Sequence, residues 1–217
     1  MYVPQVYQAS SSDQVSTVIS RYPMALLVTN GARLPFATHL PVVSAADAYP
    51  QDLVGHTLLG HMNKMNPHWE SLSPGTLGKL VFSGPGTYIS PAIYETDPAA
   101  PTWDFITVHL QGTVWPIREL EATLAVTRRT AAILEKSFGR GWDQKSSVDY
   151  FRSIVRGVGA FEFQVGAVEA MFKLSQEKPL QIQQRLIDEF TGSPPGSACG
   201  QVGSFMRDLG LGVADGE

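Results

Sequence analysis

The sequence predicts an α+β fold in which a small, mostly antiparallel β-barrel carries a few peripheral helices. Six or seven short apolar runs are separated by Gly-, Pro- and Asn-rich turns, and the Asn30-Gly31 turn between two such runs is typical of a β-hairpin. The helical patterns fall mainly in the second half of the chain, whereas a parallel sheet needs helices that alternate with strands. With 217 residues, 43% of them hydrophobic and 17% charged, the chain can bury one sizeable core.

Charge and cysteine content exclude several classes of protein. The 16 Lys and Arg residues against 20 Asp and Glu give a net charge of -4, which argues against nucleic-acid binding through a broad basic surface. The single cysteine, Cys199, excludes an internal disulfide framework and a Cys-rich metal site. The N-terminus lacks a signal-peptide pattern and no apolar run has the length of a bilayer. We therefore expect a cytoplasmic protein without a membrane segment.

Helical periodicity and end signals define the expected helices. Ser12-Asp13 can cap a first helix with Val15, Val18 and Ile19 on its apolar face, and Asn66-Pro67 is typical of a helix start. The expected helices cover 12–22, a short turn after 66–67, 120–138, 147–155, 179–190 and a last stripe within 202–209.

Alternation of apolar and polar residues defines the expected strands. They cover 24–29, 36–43, 53–61, 78–83, 87–90, 103–115 and 159–172. Within 53–61 the period of two places His56 and His61 on opposite faces. The corner Gly84-Pro85-Gly86 is expected to end one strand and to bring the backbone close to a neighbour.

Several motifs resemble one known family. They are Met1-Tyr2-Val3-Pro4, 35–41 (PFATHLP), 59–69 (LGHMNKMNPHW), 84–91 (GPGTYISP), 101–105 (PTWDF) and 172–176 (FKLSQ). Together they resemble the PaiB-like family, usually described as FMN-binding negative transcriptional regulators. The resemblance implies a flavin-reductase-like split β-barrel, dimeric, with a cofactor site where two barrels meet. We expect a cofactor-binding domain over 1–190 and a C-terminal tail over 191–217.

Further segments are similar to a haem-dependent branch of that family, the piperazate synthases. They are 91–94 (PAIY), 99–103 (AAPTW), 138–143 (FGRGWD), 149–152 (DYFR), 157–161 (GVGAF) and 174–177 (LSQE). The branch implies haem b, N5-hydroxy-L-ornithine as substrate and closure to L-piperazate by N–N bond formation with loss of water. Asp104 departs from this pattern, because Asn is expected after Pro-Thr-Trp.

His61 is the predicted axial ligand of the haem iron, and so the metal ligand. A neutral imidazole can bind iron near neutral pH, and His61 stands at a strand end before a Gly/Asn/Pro-rich turn. A hydrogen bond from His61 to backbone is the structural alternative. His109 is the second ligand candidate, His68 is expected to be structural, and His56 is expected to pack across strands.

The remaining candidate residues follow from the same motifs. Predicted cofactor contacts, besides His61, are Thr38, Trp103, Phe105 and Lys173, and predicted catalytic residues are Lys64, Tyr88 and His39. Lys64 and Lys173 are expected to bind a carboxylate, propionate or phosphate group, or to be surface residues. The aromatic side chains are expected to stack on the cofactor, or to belong to the core or to a dimer interface. His39 lines the pocket or is a core histidine.

Two other functions fit the same resemblance. An FMN-binding redox protein or transcriptional regulator would use Lys64 and Lys173 for the flavin phosphate. A cofactor-free dimeric regulator is the third reading, although the acidic charge and the missing helix-turn-helix signal argue against direct DNA contact.

Overall fold

The computed structural model describes residues 1–194 and 196–213. Six strands close into a barrel in the order β1-β2-β3-β6-β5-β4. The strands are β1 (Met24–Thr29), β2 (Phe36–Ser44), β3 (Thr57–Asn63), β4 (Thr76–Ile89), β5 (Thr102–Ile117) and β6 (Val158–Lys173). The helices are α1 (Ser12–Arg21), α2 (Pro67–Ser71), α3 (Leu120–Phe138), α4 (Val148–Ile154), α5 (Leu180–Thr191) and α6 (Ala198–Asp208). The predicted α+β class and barrel are confirmed.

The chain divides into two compact units. Unit 1 comprises residues 1–11, 83–108 and 170–217, as far as they are described, and unit 2 comprises 12–82 and 109–169. Each of the three longest strands, β4, β5 and β6, contributes one end to each unit. No helix in the described part of the chain is long and apolar enough to cross a membrane.

Unit 2 is built around the predicted hairpin. Strands β1 and β2 pair antiparallel with Leu26 opposite His39, and β1 pairs with β4 on its other edge. Helix α1 buries Val15, Val18 and Ile19, the three residues that its periodicity marks as the apolar face. The first helix and the hairpin therefore form where the sequence predicts them.

Strand β3 begins later than predicted, at Thr57, because residues 53–56 form a turn. Its Gly55 has φ +83°, a left-handed conformation that a strand cannot contain. The expected opposition of His56 and His61 across one strand is therefore wrong. His56 instead lies in the turn, where its Nε2 is 3.0 Å from the hydroxyl of Ser44 and its ring packs against Tyr49.

Close packing in unit 2 depends on glycines of paired strands. A Cβ at Gly60 would lie 2.4 Å from the ring of Phe161, which stands opposite it on β6. A Cβ at Gly159 would lie 2.3 Å from the indole of Trp69 in α2. Side chains at these two positions would displace large buried rings, so the glycines fix the distance between backbone and ring.

In unit 1 the Gly-Pro-Gly corner lies inside β4, where the sequence suggests a break between two strands. A Cβ at Gly84 would be 3.0 Å from Cβ of Ile106, and a Cβ at Gly86 would be 3.0 Å from Cβ of Phe105. The expectation of a close backbone approach is confirmed, but the strand runs on through it. The absence of a side chain at Gly84 and Gly86 allows β5 to pack closely against β4, so these glycines indicate a close contact between strands and not a turn.

Helix α3 covers the barrel of unit 2 as its stripe of apolar residues predicts. Val126 joins Val43, Leu59 and Ala160 in one buried cluster. The helix ends at Gly139, as expected, and the carboxylate of Glu135 accepts backbone N–H groups of Arg140 and Trp142. Helix α4 follows with no fully buried residue.

Unit 1 carries the last two helices. Helix α5 matches the prediction over 179–190, and α6 buries Val202, Phe205 and Met206 of the predicted stripe. The ring of Phe205 packs edge-on against Phe172 of β6 at a centroid distance of 6.4 Å. Of the predicted tail over 191–217, residues 195 and 214–217 lie outside the described residues.

Candidate functional site

A cavity of about 270 Å³ lies in unit 2 between the barrel and the helices α3 and α4. Strands β2, β3 and β6 form its floor, and α3, α4 and the short segment after α4 form its walls. The residues that line it are Pro41, His61, Thr127, Thr130, Ala131, Leu134, Phe151, Ile154, Val155 and Val158. Most of this surface is apolar, so the cavity favours an apolar ligand or part of one.

His61 is the one ionisable side chain among these lining residues. It is half-buried on β3, and its Nδ1 atom is buried without a hydrogen-bond partner among the described residues. Burial lowers the pKa of its imidazole below the usual value, so the ring is neutral at neutral pH. His61 lines the cavity, and a neutral imidazole on an apolar wall is suited to bind a metal centre. Among the described residues Nδ1 makes no hydrogen bond to backbone, and the alternative role of His61 as a backbone hydrogen-bonding residue stays a prediction.

The two threonines of the cavity add little polarity. The hydroxyl of Thr127 donates to the carbonyl of Leu124, and the hydroxyl of Thr130 donates to the carbonyl of Val126. Both protons are therefore used inside α3. Neither hydroxyl keeps a proton to donate to a ligand, and the imidazole remains the main polar feature of the cavity.

Lys64 and His39 lie on the segments that adjoin this cavity. The backbone N–H of Lys64 donates to the carbonyl of Gly157 at 2.8 Å, one residue before Val158 of the cavity lining. His39 is exposed and precedes Pro41 by two residues, which places both on the same face of β2. The core alternative for His39 is therefore wrong. The structure brings His61, Lys64 and His39 to one region of unit 2.

Thr38 takes part in a buried network centred on His68. The Nε2 of His68 is 2.9 Å from the hydroxyl of Thr29, and its Nδ1 is 2.9 Å from the hydroxyl of Thr38. Asn66 also donates to Thr38, and the ring of Phe36 stacks on the imidazole at 5.2 Å. The structural role expected for His68 is confirmed, and Thr38 as a cofactor contact stays a prediction.

Lys173 lies in unit 1 and is engaged by its own surroundings. Its ammonium donates to the hydroxyl of Thr102 and, at 2.7 Å, to the carbonyl of Trp103. It also stands 3.8 Å from the carboxylate of Asp104. Two of its three protons thus stabilise the start of β5, which leaves the predicted cofactor contact untested.

Tyr88 and Trp103 form an exposed aromatic pair in unit 1. Their side chains are 52% and 54% exposed, and the two rings meet edge-on at a centroid distance of 6.3 Å. Phe105 is partly buried on the same strand as Trp103. Neither member of the pair belongs to the core, so a contact with a ligand or with another chain remains open for both.

Asp104 is fully buried in unit 1. The hydroxyl of Ser175 donates to its Oδ2 at 2.7 Å, whereas Oδ1 has no hydrogen-bond partner among the described residues. Burial raises the pKa of this carboxyl to about 6, and this effect outweighs the hydrogen bond from Ser175 and the attraction of Lys173. The departure from Asn noted in the sequence therefore creates a buried titratable group.

His109, the second ligand candidate, has a different environment from His61. It lies on β5 in unit 2 with Lys79 and Glu169 nearby, and those two side chains form an ion pair at 3.6 Å. Burial and the positive charge of Lys79 lower the pKa of His109. Its Nδ1 is buried without a hydrogen bond in the described part of the chain, but the residues that line the apolar cavity do not include it. The geometry favours His61 as the ligand.

The helical side of the cavity is what sequence reasoning missed. Thr127, Ala131 and Leu134 appear in the periodicity of α3 only as an apolar stripe, and Phe151 lies in a short amphipathic helix. The available signal was that Thr127 and Thr130 interrupt an otherwise apolar face. A stripe shows which residues face inward, and it does not show whether they meet side chains or an empty space.

Comparison with known proteins places the fold in a family. Residues 1–167 match the family model described as "Putative FMN-binding domain". The protease synthase and sporulation protein PAI 2 of Bacillus subtilis is 24% identical over 213 residues, which covers 96% of this chain and 97% of that protein.

Solved structures show the same split β-barrel. The FAD and heme binding protein of Mycobacterium smegmatis is 14% identical, with a TM-score of 0.53 over 77% of this chain and 73% of its own. The flavocytochrome Anf3 of Azotobacter vinelandii is also 14% identical, with a TM-score of 0.54 over 79% of this chain and 72% of its own. The match over residues 1–167, with the full-length similarity to PAI 2, shows that the chain belongs to the PaiB-like family of FMN-binding domains.

Proposed function

We propose that this protein is a cytoplasmic, haem-dependent piperazate synthase that closes N5-hydroxy-L-ornithine to L-piperazate. The observation that carries the proposal is the imidazole of His61 on the wall of an apolar cavity, with a pKa that burial lowers. The identity of the substrate rests on the motifs that resemble the piperazate synthase branch. Two of the structural neighbours are named as proteins that bind haem with a flavin or as a flavocytochrome, which supports a haem on this fold.

The cavity fits a haem better than the phosphate end of a flavin. Among the described residues that line it there is no Lys or Arg, whereas a buried phosphate requires positive charge or several N–H donors. An apolar macrocycle loses little hydration there, and His61 supplies the nitrogen ligand that its iron needs. The volume of about 270 Å³ is below the range of about 300–1,000 Å³ for typical ligand sites, so only part of the group would lie inside.

The residues of this chain would act mainly through position and proton transfer. The haem iron, when bound, supplies a Lewis acid for the hydroxylamine oxygen on N5. His61 would hold the haem, and Lys64, half-buried at the cavity edge, would bind the substrate carboxylate. His39, exposed on the adjoining face of β2, would accept the proton of the α-ammonium group. Tyr88 lies in unit 1, and its catalytic role stays a prediction.

The reaction needs no external oxidant or reductant. The α-amine nitrogen bonds to N5 while the N5–O bond breaks, and the oxygen leaves as water with a proton from the α-amine. Both nitrogens belong to one chain, so orientation can supply a large part of the rate.

A spectrum and one pair of variants test the haem site. Protein expressed with iron and a haem precursor should show an intense Soret band, and His61→Ala should lose it. His109→Ala is the matched control, because His109 is also half-buried with an unpaired Nδ1 and should leave the band unchanged. Circular dichroism checks that both variants fold. A full Soret band in His61→Ala would overturn the ligand assignment.

A substrate assay tests the reaction. Incubation of haem-loaded protein with N5-hydroxy-L-ornithine should give a product lighter by one water, whereas L-ornithine, which lacks the N–O bond, should be unchanged. Persistence of N5-hydroxy-L-ornithine over many equivalents of haem-loaded protein would refute the synthase. The haem site could survive that result, so the two parts of the proposal fail separately.

An FMN-binding redox protein or regulator is the second candidate, and the family match favours it. In this reading Lys64 of unit 2 would bind the flavin phosphate. Lys173 and the exposed pair of Tyr88 and Trp103 lie in unit 1, and their contacts with a flavin stay predictions. Purified protein with two broad flavin bands in place of a Soret band would select this reading.

A homodimer is part of both readings. The aromatic pair of unit 1 and, in unit 2, the exposed side chains of Leu77 and Trp115 leave apolar surface that a second copy could cover. Light scattering coupled to size-exclusion chromatography should give twice the mass of the 23.6 kDa chain. Trp103→Glu should shift the protein toward the monomer, and a wild-type monomer at micromolar concentration would refute the dimer.

A further inference from the structure

A second cavity, of about 790 Å³, borders another face of α3 in unit 2. We call it the α1–α3 groove, because the end of α1, the end of β2 with the following loop, and α3 form its walls. Its apolar surface includes Pro23, Ile133 and Phe138, with the fully buried Ile19 and Val42 behind it. Its charged residues are Arg128, Arg129, Lys136 and Asp47. The volume lies within the usual range of small-molecule sites, about 300–1,000 Å³.

The charges in the groove do not balance. Arg129 forms an ion pair with Asp47 at 3.1 Å and donates from Nε to the carbonyl of Ser44, so these two charges compensate each other. Arg128 is half-buried, and among the described residues only its Nε has a partner, the side chain of Gln144 at 3.3 Å. Its two terminal amino groups therefore remain for a ligand. Lys136 has no ion pair in the part of the chain that the structure describes.

Arg128 and Lys136 act from one stripe of α3. They are eight residues apart, which is about 12 Å along a helix, and Ala132 lies midway between them. The small side chain of Ala132 leaves room for one carboxylate between the two cationic side chains. The groove thus combines an apolar bed with two uncompensated positive charges, although the whole chain has a net charge of -4.

We propose that the α1–α3 groove binds a small amphipathic carboxylate, with its aliphatic body over the apolar bed and its carboxylate at Arg128 and Lys136. The terminal amino groups of a guanidinium match the two oxygens of a carboxylate. The aliphatic body gains by leaving water, and the charged rim fixes the direction in which the molecule lies. The groove adjoins the His61 cavity at Leu134, which lines both, but Arg128 and Lys136 line only the groove, so the proposal does not depend on the proposed function.

Calorimetric titration with decanoate tests the proposal, using the protein as purified and decanoate below its micellar concentration. 1-Decanol supplies the same chain without the charge, and acetate supplies the charge without the chain. We expect saturable binding of decanoate, at least ten-fold weaker binding of 1-decanol, and no saturation with acetate. Equal affinity for decanoate and 1-decanol would overturn the proposal.

Variants locate the binding in the groove. Arg128→Gln with Lys136→Gln should weaken decanoate binding at least ten-fold, and Ala132→Phe, which fills the groove, should abolish it. Lys145→Gln is the control, because it removes an exposed cation outside the groove and should change the affinity less than two-fold. Lys136→Gln alone changes an exposed residue and should still weaken binding, which separates charge from misfolding. Unchanged affinity in Ala132→Phe would place the ligand elsewhere.

Discussion

Replacing the buried carboxylate of Asp104 by an amide should change how the stability of the protein depends on pH. Asn has nearly the shape of Asp, and its side-chain oxygen can still accept the hydrogen bond from Ser175. Asp104 has a pKa raised from 3.8 to about 6 in the folded protein. A raised pKa of an acid means that the folded state disfavours the ionised form, so the stability from this group is full below about pH 4 and is lost as the pH rises through 6.

The size of the effect follows from these two pKa values. One pH unit of difference in pKa corresponds to about 1.4 kcal/mol, so ionisation of Asp104 costs the folded protein about 3 kcal/mol well above pH 6. Between pH 4.5 and 7.5 the cost should rise by about 2 kcal/mol. Asp104→Asn lacks the titrating group, so its free energy of unfolding should gain about 2 kcal/mol relative to wild type over that range.

Urea unfolding of both proteins at several pH values measures this difference. Titration of all other groups is common to the two proteins and cancels. A constant difference across the range would refute the reasoning, and a difference that falls as the pH rises would show that Lys173 lowers the pKa more than burial raises it. Lys173→Met removes that attraction and should raise the pKa of Asp104 further.

Three other perturbations have definite outcomes. Gly159→Ala should lower the free energy of unfolding by about 1–3 kcal/mol, because the new methyl group would stand 2.3 Å from a buried indole. Gly157→Ala is the control, because the space at its Cβ is open and the free energy of unfolding should change little. Equal urea midpoints for the two variants would contradict this reasoning. Glu135→Gln should speed hydrogen exchange at the loop amides after α3, because a neutral amide accepts weaker hydrogen bonds than a carboxylate; unchanged exchange would refute it. If His61 holds haem, its lowered pKa keeps more of the ring neutral than in an ordinary histidine, so half of the Soret band should be lost only below pH 6.5. A midpoint of haem loss above pH 6.5 would contradict the assignment.

Local signals in the sequence predict most of the fold. The structure confirms three predicted element ends: α1 ends before Pro23, β1 ends before Asn30-Gly31, and α3 ends before Gly139. Each of these signals acts on the backbone within one or two residues. Local signals fail where residues distant in the sequence determine the local structure. Gly84 and Gly86 look like a turn, yet they admit a neighbouring strand whose position no local pattern encodes.

In the candidate site, too, the sequence predicts some features, whereas others depend on residues distant in the chain. His61 is identifiable from its motif, but its unpaired Nδ1 and lowered pKa arise from α3 and α4, more than 60 residues further along the chain. Lys173 shows the opposite case. A lysine among apolar neighbours predicts an anionic partner, and the structure places Thr102, a backbone carbonyl and Asp104 around it, all contributed by β5.

Because two cavities lie along α3, inserting or deleting a residue in this helix should disturb the lining of both. Thr127 lines the apolar cavity and its neighbour Arg128 lines the α1–α3 groove, since successive helical residues are rotated by about 100°. Deleting one residue early in α3 would turn Arg128 toward the His61 cavity and move the small residues away from it. A buried guanidinium without a partner is far more costly than a lost methyl group. Insertions and deletions should therefore be tolerated in the loops of this protein but not within the first half of α3.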